Sequence, residues 1–476
     1  MAKQQNFVQE LADINTDFAQ WYTDLVLKTD MVDYGPVKGS MVIKPYGYAV
    51  WENIQKYADE KFKNVGVQNA YFPMFIPESY LKREAEHVEG FAPEVAVVTH
   101  AGGQELAEKL IVRPTSETII CEMYAKWIKS YRDLPVRMNQ WCNVVRWEKT
   151  TRPFLRTSEF LWQEGHTVYS SEQEAEEDVK RMLNIYVDVA QDLLAIPVLS
   201  GRKTEKEKFA GAVATYGIEA IMKDGKCLQA GTSHYLGQNF SKSSNIRFLN
   251  KEGALEYGYS TSWGISTRLI GALVMVHGDE RGLKMPPKVA PIQVEIIPIA
   301  SHKEGVIEKC KEVEELLRKA GVRVKLDDSD NTPGWKFNDC EMKGVPVRLE
   351  IGPRDIENGV ATYVRRDTLE KATIELNGLE LSIPALLNNI QKNMFEIAKT
   401  NLENSIIETD NFDEMVKACD DKKVCLSYHC GDANCEIDIK DGTAIKTRVI
   451  HSYDENHNCI KCGKPSKYRV YFGRQY

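Results

Sequence analysis

The chain has 476 residues, 43% apolar and 27% charged, which suits a globular protein of about three domains. Its net charge of −8, from 61 basic and 69 acidic residues, announces no DNA or other nucleic-acid partner, so any RNA needs a local basic face. MAKQQNFVQELADINTDF lacks an apolar secretory core and LIGALVMV is too short to span a bilayer, so a cytoplasmic chain with no membrane partner is expected.

Residues 47–66 read as an amphipathic helix with Val50, Ile54, Tyr57 and Ala58 on one side, leading into a proline-broken strand, VQNAYFPMFIP. RPTSETIICEMYAKWIKSY places Pro114 ahead of a helix, with Ser116 as its expected cap. In VVRWEKTTRPFLRTSEFLWQEGH, Val144, Arg146 and Glu148 fall at period two, and so do Phe160, Trp162, Glu164 and His166. Two strands joined by a basic loop would set these side chains on one surface. Ser171 and Glu174 have capping-box spacing and open a long helix.

KMPPKVAP (284–291) is the expected boundary, because consecutive prolines bar helix and sheet alike. Beyond it strands and helices alternate: a strand over PIQVEIIPIA, a helix over VIEKCKEVEELLRKAG, a strand over VRVKLDD, a short helix over WKFNDCEMKG, two strands, and a helix over 382–398. That predicts a small α/β unit with a mostly parallel sheet. Past about residue 405 the chain turns polar and cysteine-rich; six of its 11 cysteines lie at or after Cys419.

There, Cys430 and Cys435 flank GDAN, and Cys459 and Cys462 flank IK. Two short cysteine pairs are what two knuckles closing on one tetrahedral Zn²⁺ need; four cysteines would leave no open position and make the metal structural. Free cysteines in a loop are the alternative, and Cys425, His429, His451 and His457 could substitute as ligands. The Arg146 face could be a solvated hairpin with cross-strand ion pairs, but its aromatic walls favour a ligand pocket. Thr115 and Glu117 could simply cap a helix, or could aim a hydroxyl and a carboxylate at an ammonium group. Arg268 opens an apolar helix, where an isolated Arg usually needs an anionic partner. No glycine-rich phosphate loop and no nucleophile elbow occurs, so any bound phosphate falls to arginines.

These stretches together resemble a class II aminoacyl-tRNA synthetase, and within that class the archaeal/eukaryotic-like prolyl-tRNA synthetase family, over almost the whole chain. The helix with AYFPMFIP looks like motif 1, whose proline, Pro73, would sit at a homodimer interface. VVRWEKTTRPFLRTSEFLWQEGHT looks like motif 2 and TSWGISTRLIGALVMVHGDERGLKMPP like motif 3. RPTSET looks like the proline-recognition loop. LQAGTSHYLGQNFSK, TPGWKFNDCEMKGVPVRLEIGPRD and the four cysteines match the prolyl family. Between Glu164 and Tyr259 there is no room for the large editing insertion of the bacterial type.

The resemblance implies an α+β fold: a catalytic domain on an antiparallel sheet over 1–286, an α/β anticodon-binding domain over 287–400, and a small zinc-binding α+β domain over 401–476. It implies activation of L-proline with ATP and transfer to tRNA(Pro). A catalytically inactive synthetase-like RNA-binding or regulatory protein is the alternative. Arg146 would bridge the proline carboxylate and the α-phosphate, and Arg268 would hold the γ-phosphate. Mg²⁺ would lie near Glu148 and Gln229. Phe160 would stack on adenine, Arg156 and Thr157 would close over the nucleotide, and Thr232 and Ser266 would complete the ATP site. Thr115 and Glu117 would take the ammonium, with Glu164 and His166 on the floor. Trp162 and Phe209 would sandwich the ring, Ser262, Trp263 and Gly264 would form the near wall, and His234 the mouth. Lys336, Glu350 and Arg354 would read the anticodon. Without an editing insertion, detectable activation of alanine is expected.

Overall fold

The computed structural model describes residues 10–81 and 94–476. A seven-stranded sheet forms from β1 (Gln68–Asn69), β2 (Val136–Val145), β3 (Glu159–Tyr169), β4 (Leu199–Arg202), β5 (Ala214–Ile221), β6 (Cys227–Gly237) and β7 (Tyr259–Ser266), in the order β1-β2-β3-β7-β6-β5-β4. Every pairing is antiparallel except β1 with β2.

One face of this sheet is apolar. Helix α1 (Pro45–Asn64) buries Val50, Trp51, Ile54, Ala58 and Phe62, a stripe at helical spacing. Phe62 meets Trp141 at 6.3 Å and Trp263 at 5.1 Å between ring centroids. Helix α3 (Glu172–Asp188) adds Met182, Leu183 and Tyr186 to the same core. Each such fully buried side chain is worth ~1.5–3 kcal/mol. The opposite face carries the charged and aromatic residues of β3.

The expected strand over VQNAYFPMFIP is two strands. Gln68–Asn69 joins the large sheet, and Phe75–Pro77 pairs with Leu110–Val112 in a separate three-stranded sheet. Pro73 lies between them, where a missing N–H breaks no ladder. Helix α2 (Glu117–Trp127) begins as expected, but the Ser116 hydroxyl does not cap it; that oxygen accepts from Gln140 Nε2 at 2.9 Å. Ser171 does cap α3, accepting from Glu174 N at 3.4 Å, and the helix ends in a π turn over Val189–Leu193. Helix α4 (Arg268–His277) follows β7 directly.

The second region has strands β8 (Val294–Pro298), β9 (Val324–Leu326), β10 (Val347–Ile351), β11 (Val360–Arg365) and β12 (Lys371–Glu375), ordered β9-β8-β10-β11-β12. Helix α5 (Val306–Lys319) buries Val306, Cys310, Val313 and Leu317 in its core. Helix α6 (Pro333–Met342) and helix α7 (Leu379–Ser405) complete the region, α7 extending past both ends of the expected 382–398. The sheet is mixed rather than mostly parallel: β8 pairs in parallel with β9 and β10, but β10-β11-β12 is an antiparallel meander, because a short connection can only reverse the chain. Arg366 forks onto Asp279, just past α4, at 3.0 and 2.6 Å, tying this region to the first.

The third region contains β13 (Ile406–Glu408), β14 (Val424–His429), β15 (Lys446–Tyr453) and β16 (Tyr468–Gly473), ordered β13-β14-β16-β15, with helices α8 (Phe412–Asp420) and α9 (Ala433–Thr443). Its last residues run beside the start of β6: Cys227 N donates to Arg474 O at 2.7 Å.

Candidate active site and metal cluster

A cavity of about 300 Å³ opens on the polar face of the large sheet. Sheet parity builds it. Phe160, Trp162, Glu164 and His166 alternate along β3, and their partners on β7 include Ser266 opposite Trp162, Gly264 opposite Glu164 and Ser262 opposite His166. Gly264 and Ser262 in turn pair with Thr232 and His234 on β6. Directly opposed residues in an antiparallel pair share a face, so all of these point the same way. Strand β2 stops at Val145, and Arg146 and Glu148 lie just beyond the ladder.

Arg146 reaches back over the cavity. Its guanidinium lies 5.6 Å from the Phe160 ring and 5.3 Å from the Trp162 ring, and its Nε donates to Pro114 O at 3.1 Å. Burial depresses its pKa while Glu164 and Glu148 oppose that, and a guanidinium stays charged throughout. At the other end Arg268 donates to Leu155 O at 3.3 Å and Gln229 O at 3.4 Å. Burial and the neighbouring Arg146 lower it to about 10. Two arginines thus face one cavity, a strong pull on a polyanion.

The third end is acidic. Glu164 accepts from Ser116 N at 3.1 Å, so this carboxylate, rather than the Ser116 hydroxyl, serves the start of α2. Burial works against its charge, but His166, 3.0 Å away, and Ser116 hold its pKa well below the usual range. His166 is raised: burial lowers it, and Glu164 and Glu117 more than compensate. Glu117 is buried, its Oε1 has no hydrogen-bond partner, and burial pushes its carboxyl up to about 7. Thr115 lies beside them, its hydroxyl 3.4 Å from Glu164. His234 accepts from or donates to Thr215 at 3.0 Å and lies 4.7 Å from the Phe209 ring; burial lowers it to about 3.

Thr115, Glu117, Arg146, Phe160, Trp162, Glu164, His166, Phe209, Gln229, Thr232, His234, Ser262, Gly264, Ser266 and Arg268 all line the cavity. Trp263 lines it only along its strand: its indole packs on Phe62 behind the sheet and fills the space where Gly165 has no side chain. Three consecutive strand residues cannot share a face, so Ser262 and Gly264 form the wall without it. Glu148 and Arg156 lie outside the lining and face each other at 3.5 Å. The buried Thr157 hydroxyl is turned into its own loop, donating to Glu159 O at 2.6 Å. Sequence reasoning missed Glu207 and Thr215, which also line the cavity, and Gln140, which bonds both Ser116 and Glu164. The period-two series running back from Arg146 through Val144 and Cys142 reaches Gln140, a signal that was available.

In the second region Lys336 is buried and donates to Asp327 O at 2.7 Å, and Glu350 is buried between Arg348 at 3.0 Å and Lys371 at 2.9 Å. Arg354 is exposed. In the third, Cys435 and Cys459 sulfurs lie 3.8 Å apart and Cys462 and Cys430 sulfurs 3.6 Å apart. A tetrahedral ion with ~2.3 Å Zn–S bonds spaces its sulfurs by ~3.8 Å, so the two pairs suit one Zn²⁺. His429 joins Cys430, Cys435 and Cys459 in one group of potential ligand atoms within 4.8 Å of one another. Cys425 is buried in the local core, His457 stacks on Tyr428 at 3.9 Å, and His451 is exposed.

Three family models match. Residues 97–277 match the tRNA synthetase class II core domain (G, H, P, S and T), 293–385 the anticodon binding domain, and 412–476 the prolyl-tRNA synthetase C-terminal domain. The chain is 57% identical to the proline–tRNA ligase of Alkaliphilus oremlandii over 100% of its own length and 99% of that protein's. It is 56% identical to that of Acetoanaerobium sticklandii over the same shares. Among solved structures, prolyl-tRNA synthetase from Cryptosporidium parvum with halofuginone and AMPPNP superimposes with a TM-score of 0.94 at 46% identity, over 98% of this chain and 99% of that one. The same enzyme with L-proline and AMP gives 0.94 at 44% identity, over 100% and 99%. A class II core, an anticodon-binding region and a prolyl-type C-terminal region in one chain, matched end to end by such relatives, make this chain a member of the prolyl-tRNA synthetase family.

Proposed function

We infer that the chain is a proline–tRNA ligase, which activates L-proline with ATP and passes the prolyl group to the 3′ end of tRNA(Pro). The observation that carries this reading is the position of Arg146, over the aromatic wall of a cavity with an ammonium-binding end at Glu117 and a phosphate-binding end at Arg268. The proline carboxylate attacks the α-phosphate in line, forming a P–O bond as the bond to pyrophosphate breaks. A 3′-terminal tRNA hydroxyl then attacks the prolyl carbonyl and AMP leaves. No protein nucleophile is required; the work is positioning and neutralisation of charge.

Arg146 spans the two anions whose approach it makes tolerable, and Arg268 takes the γ-phosphate. Glu117 and Thr115 receive the ammonium, Glu164 and His166 form the floor, Trp162 and Phe209 flank the ring, with His234 at the mouth, and Ser262 and Gly264 form the near wall. Phe160 stacks on adenine, with Thr232 and Ser266 beside the nucleotide and Arg156 and Thr157 on the loop above it. Mg²⁺, held near Gln229 with Glu148 once Arg156 releases it, would offset further phosphate charge. Cys430, Cys435, Cys459 and Cys462 would hold a structural Zn²⁺. Among the three anticodon candidates, exposed Arg354 is ready for a base, whereas Lys336 and Glu350 would first leave internal partners. The domain divisions 1–286, 287–400 and 401–476 are supported by the three matched ranges, each of which falls inside one of them. Exposed Tyr71, Phe75 and Val97 around Pro73 support a homodimer through that face. Among the described residues no helix is long and apolar enough to cross a membrane, and the cytoplasmic assignment rests on the thiol-rich sequence.

The inactive, RNA-binding alternative is not favoured, because Arg146, Glu148 and Arg268 are all present and both arginines face the cavity. ATP–pyrophosphate exchange with a panel of amino acids tests the reading. Proline-dependent exchange is expected, with alanine, two carbons smaller, weaker by roughly 10²–10⁴-fold in kcat/KM. Exchange independent of proline would overturn it.

A further inference from the structure

The loop that follows β4 carries Glu207 and Phe209 into the cavity, yet its other end is held by the C-terminal region. Thr204 is buried, and its hydroxyl donates to Glu436 Oε2 on α9 at 2.9 Å while accepting from Glu207 N at 3.4 Å. Glu436 also accepts from Thr447 at 2.7 Å and Tyr468 at 3.2 Å, so three hydroxyls share one buried carboxylate. One residue earlier, the Lys203 ammonium and the Arg448 guanidinium grip the two oxygens of Glu219, Arg448 at 2.9 Å; all three side chains are almost wholly buried. Lys446 reaches Glu207 itself at 3.6 Å. At the cavity end Phe209 N donates to Thr215 at 2.9 Å. The chain of contacts therefore runs from α9 and β15 through Thr204 and Glu207 to the ring that faces His234.

We propose that Glu436, Lys446 and Arg448 of the C-terminal region, acting through Thr204 and Lys203, are positioning residues that set the Glu207–Phe209 wall of the amino-acid pocket. The proposal rests on the reading of that cavity as the proline site. None of the three touches substrate. Buried charge and hydroxyl clusters of this kind are costly to leave half-made, so they fix one geometry. A free loop would sample several, and the amino acid would bear the ordering cost on binding.

Steady-state pyrophosphate exchange on the full chain tests this, with Thr204→Val as the main variant because it keeps shape and removes the hydroxyl. Its KM for proline is expected to rise about five- to tenfold, while kcat and the KM for ATP stay within about twofold. Thr204→Ser should restore the wild-type value. Tyr468→Phe, which removes a hydroxyl from the other oxygen of the same carboxylate and leaves the Thr204 contact to Oε2 in place, should lower the melting temperature and leave the proline KM in place. An unchanged proline KM in Thr204→Val would overturn the proposal, and so would an equal rise in the KM for ATP or an equal shift in Tyr468→Phe. If Thr204→Val does not fold, Lys446→Gln carries the test, with a rise of about two- to threefold expected and no rise overturning it. A wild-type chain without proline-dependent exchange would instead refute the reading of the cavity.

Discussion

Glu164 and His166, two residues apart on β3, meet at 3.0 Å, and this pair leaves Glu117 as the acidic group with an unpartnered oxygen in the pocket. Burial raises the Glu117 carboxyl to about 7, against the pull of His166 and with the help of Glu164. Below that pH it holds a proton and is a poor acceptor for an ammonium; above it the carboxylate is free to receive one. The KM for proline is therefore expected to fall by about tenfold per unit as pH rises toward 7, then level off. Glu117→Gln should flatten the profile. Exchange kinetics between about pH 5.5 and 8.5 check this, and a wild-type profile without a bend near 7 would contradict it.

Arg146→Lys preserves charge but loses the planar fork and the stacking over Phe160 and Trp162. A point charge cannot bridge two anions in fixed geometry, so kcat for exchange is expected to drop by about 10²–10³-fold. Thermal melting should be nearly unchanged. Undiminished exchange would remove Arg146 from the mechanism.

Gly165 has no space for a methyl group: a Cβ there would lie 2.2 Å from the Trp263 indole. Gly165→Ala is expected to cost ~1–3 kcal/mol through overpacking, or several degrees of melting temperature in calorimetry. Adding Trp263→Phe should return part of that loss. An unaltered melting point in Gly165→Ala would show that the sheet can yield there.

Zinc analysis of the purified chain should find about one ion per chain. A strong chelator should then lower the melting temperature and expose Cys430, Cys435, Cys459 and Cys462 to a thiol reagent. Full thiol reactivity before chelation, with no zinc present, would mean that the four sulfurs serve only as packing.

Much of the site was legible because strand periodicity is simple. Phe160, Trp162, Glu164 and His166 alternate, and Arg146 continues the matching series on β2, so their common face followed from spacing. The clustering of the four cysteine sulfurs was legible for a different reason, the short pairs in which the sequence sets them. Trp263 misled because a motif names consecutive residues while a pleat separates them. The internal partners of Thr157 and Lys336, at Glu159 and Asp327, were not legible, because nothing in the local string says that a polar side chain is satisfied within the chain. Arg448 and Glu219 lie 229 residues apart, and no local pattern could have paired them.

The indole behind Gly165 has one further consequence. With that space filled, β3 has little room to bow backward, so the Glu164 and His166 side chains of the floor stand on main chain that is backed from behind. A main chain is not retuned by single substitutions. The support beneath the pocket is in this sense rigid, and evolutionary drift in what the pocket admits has to come through the side chains that line it.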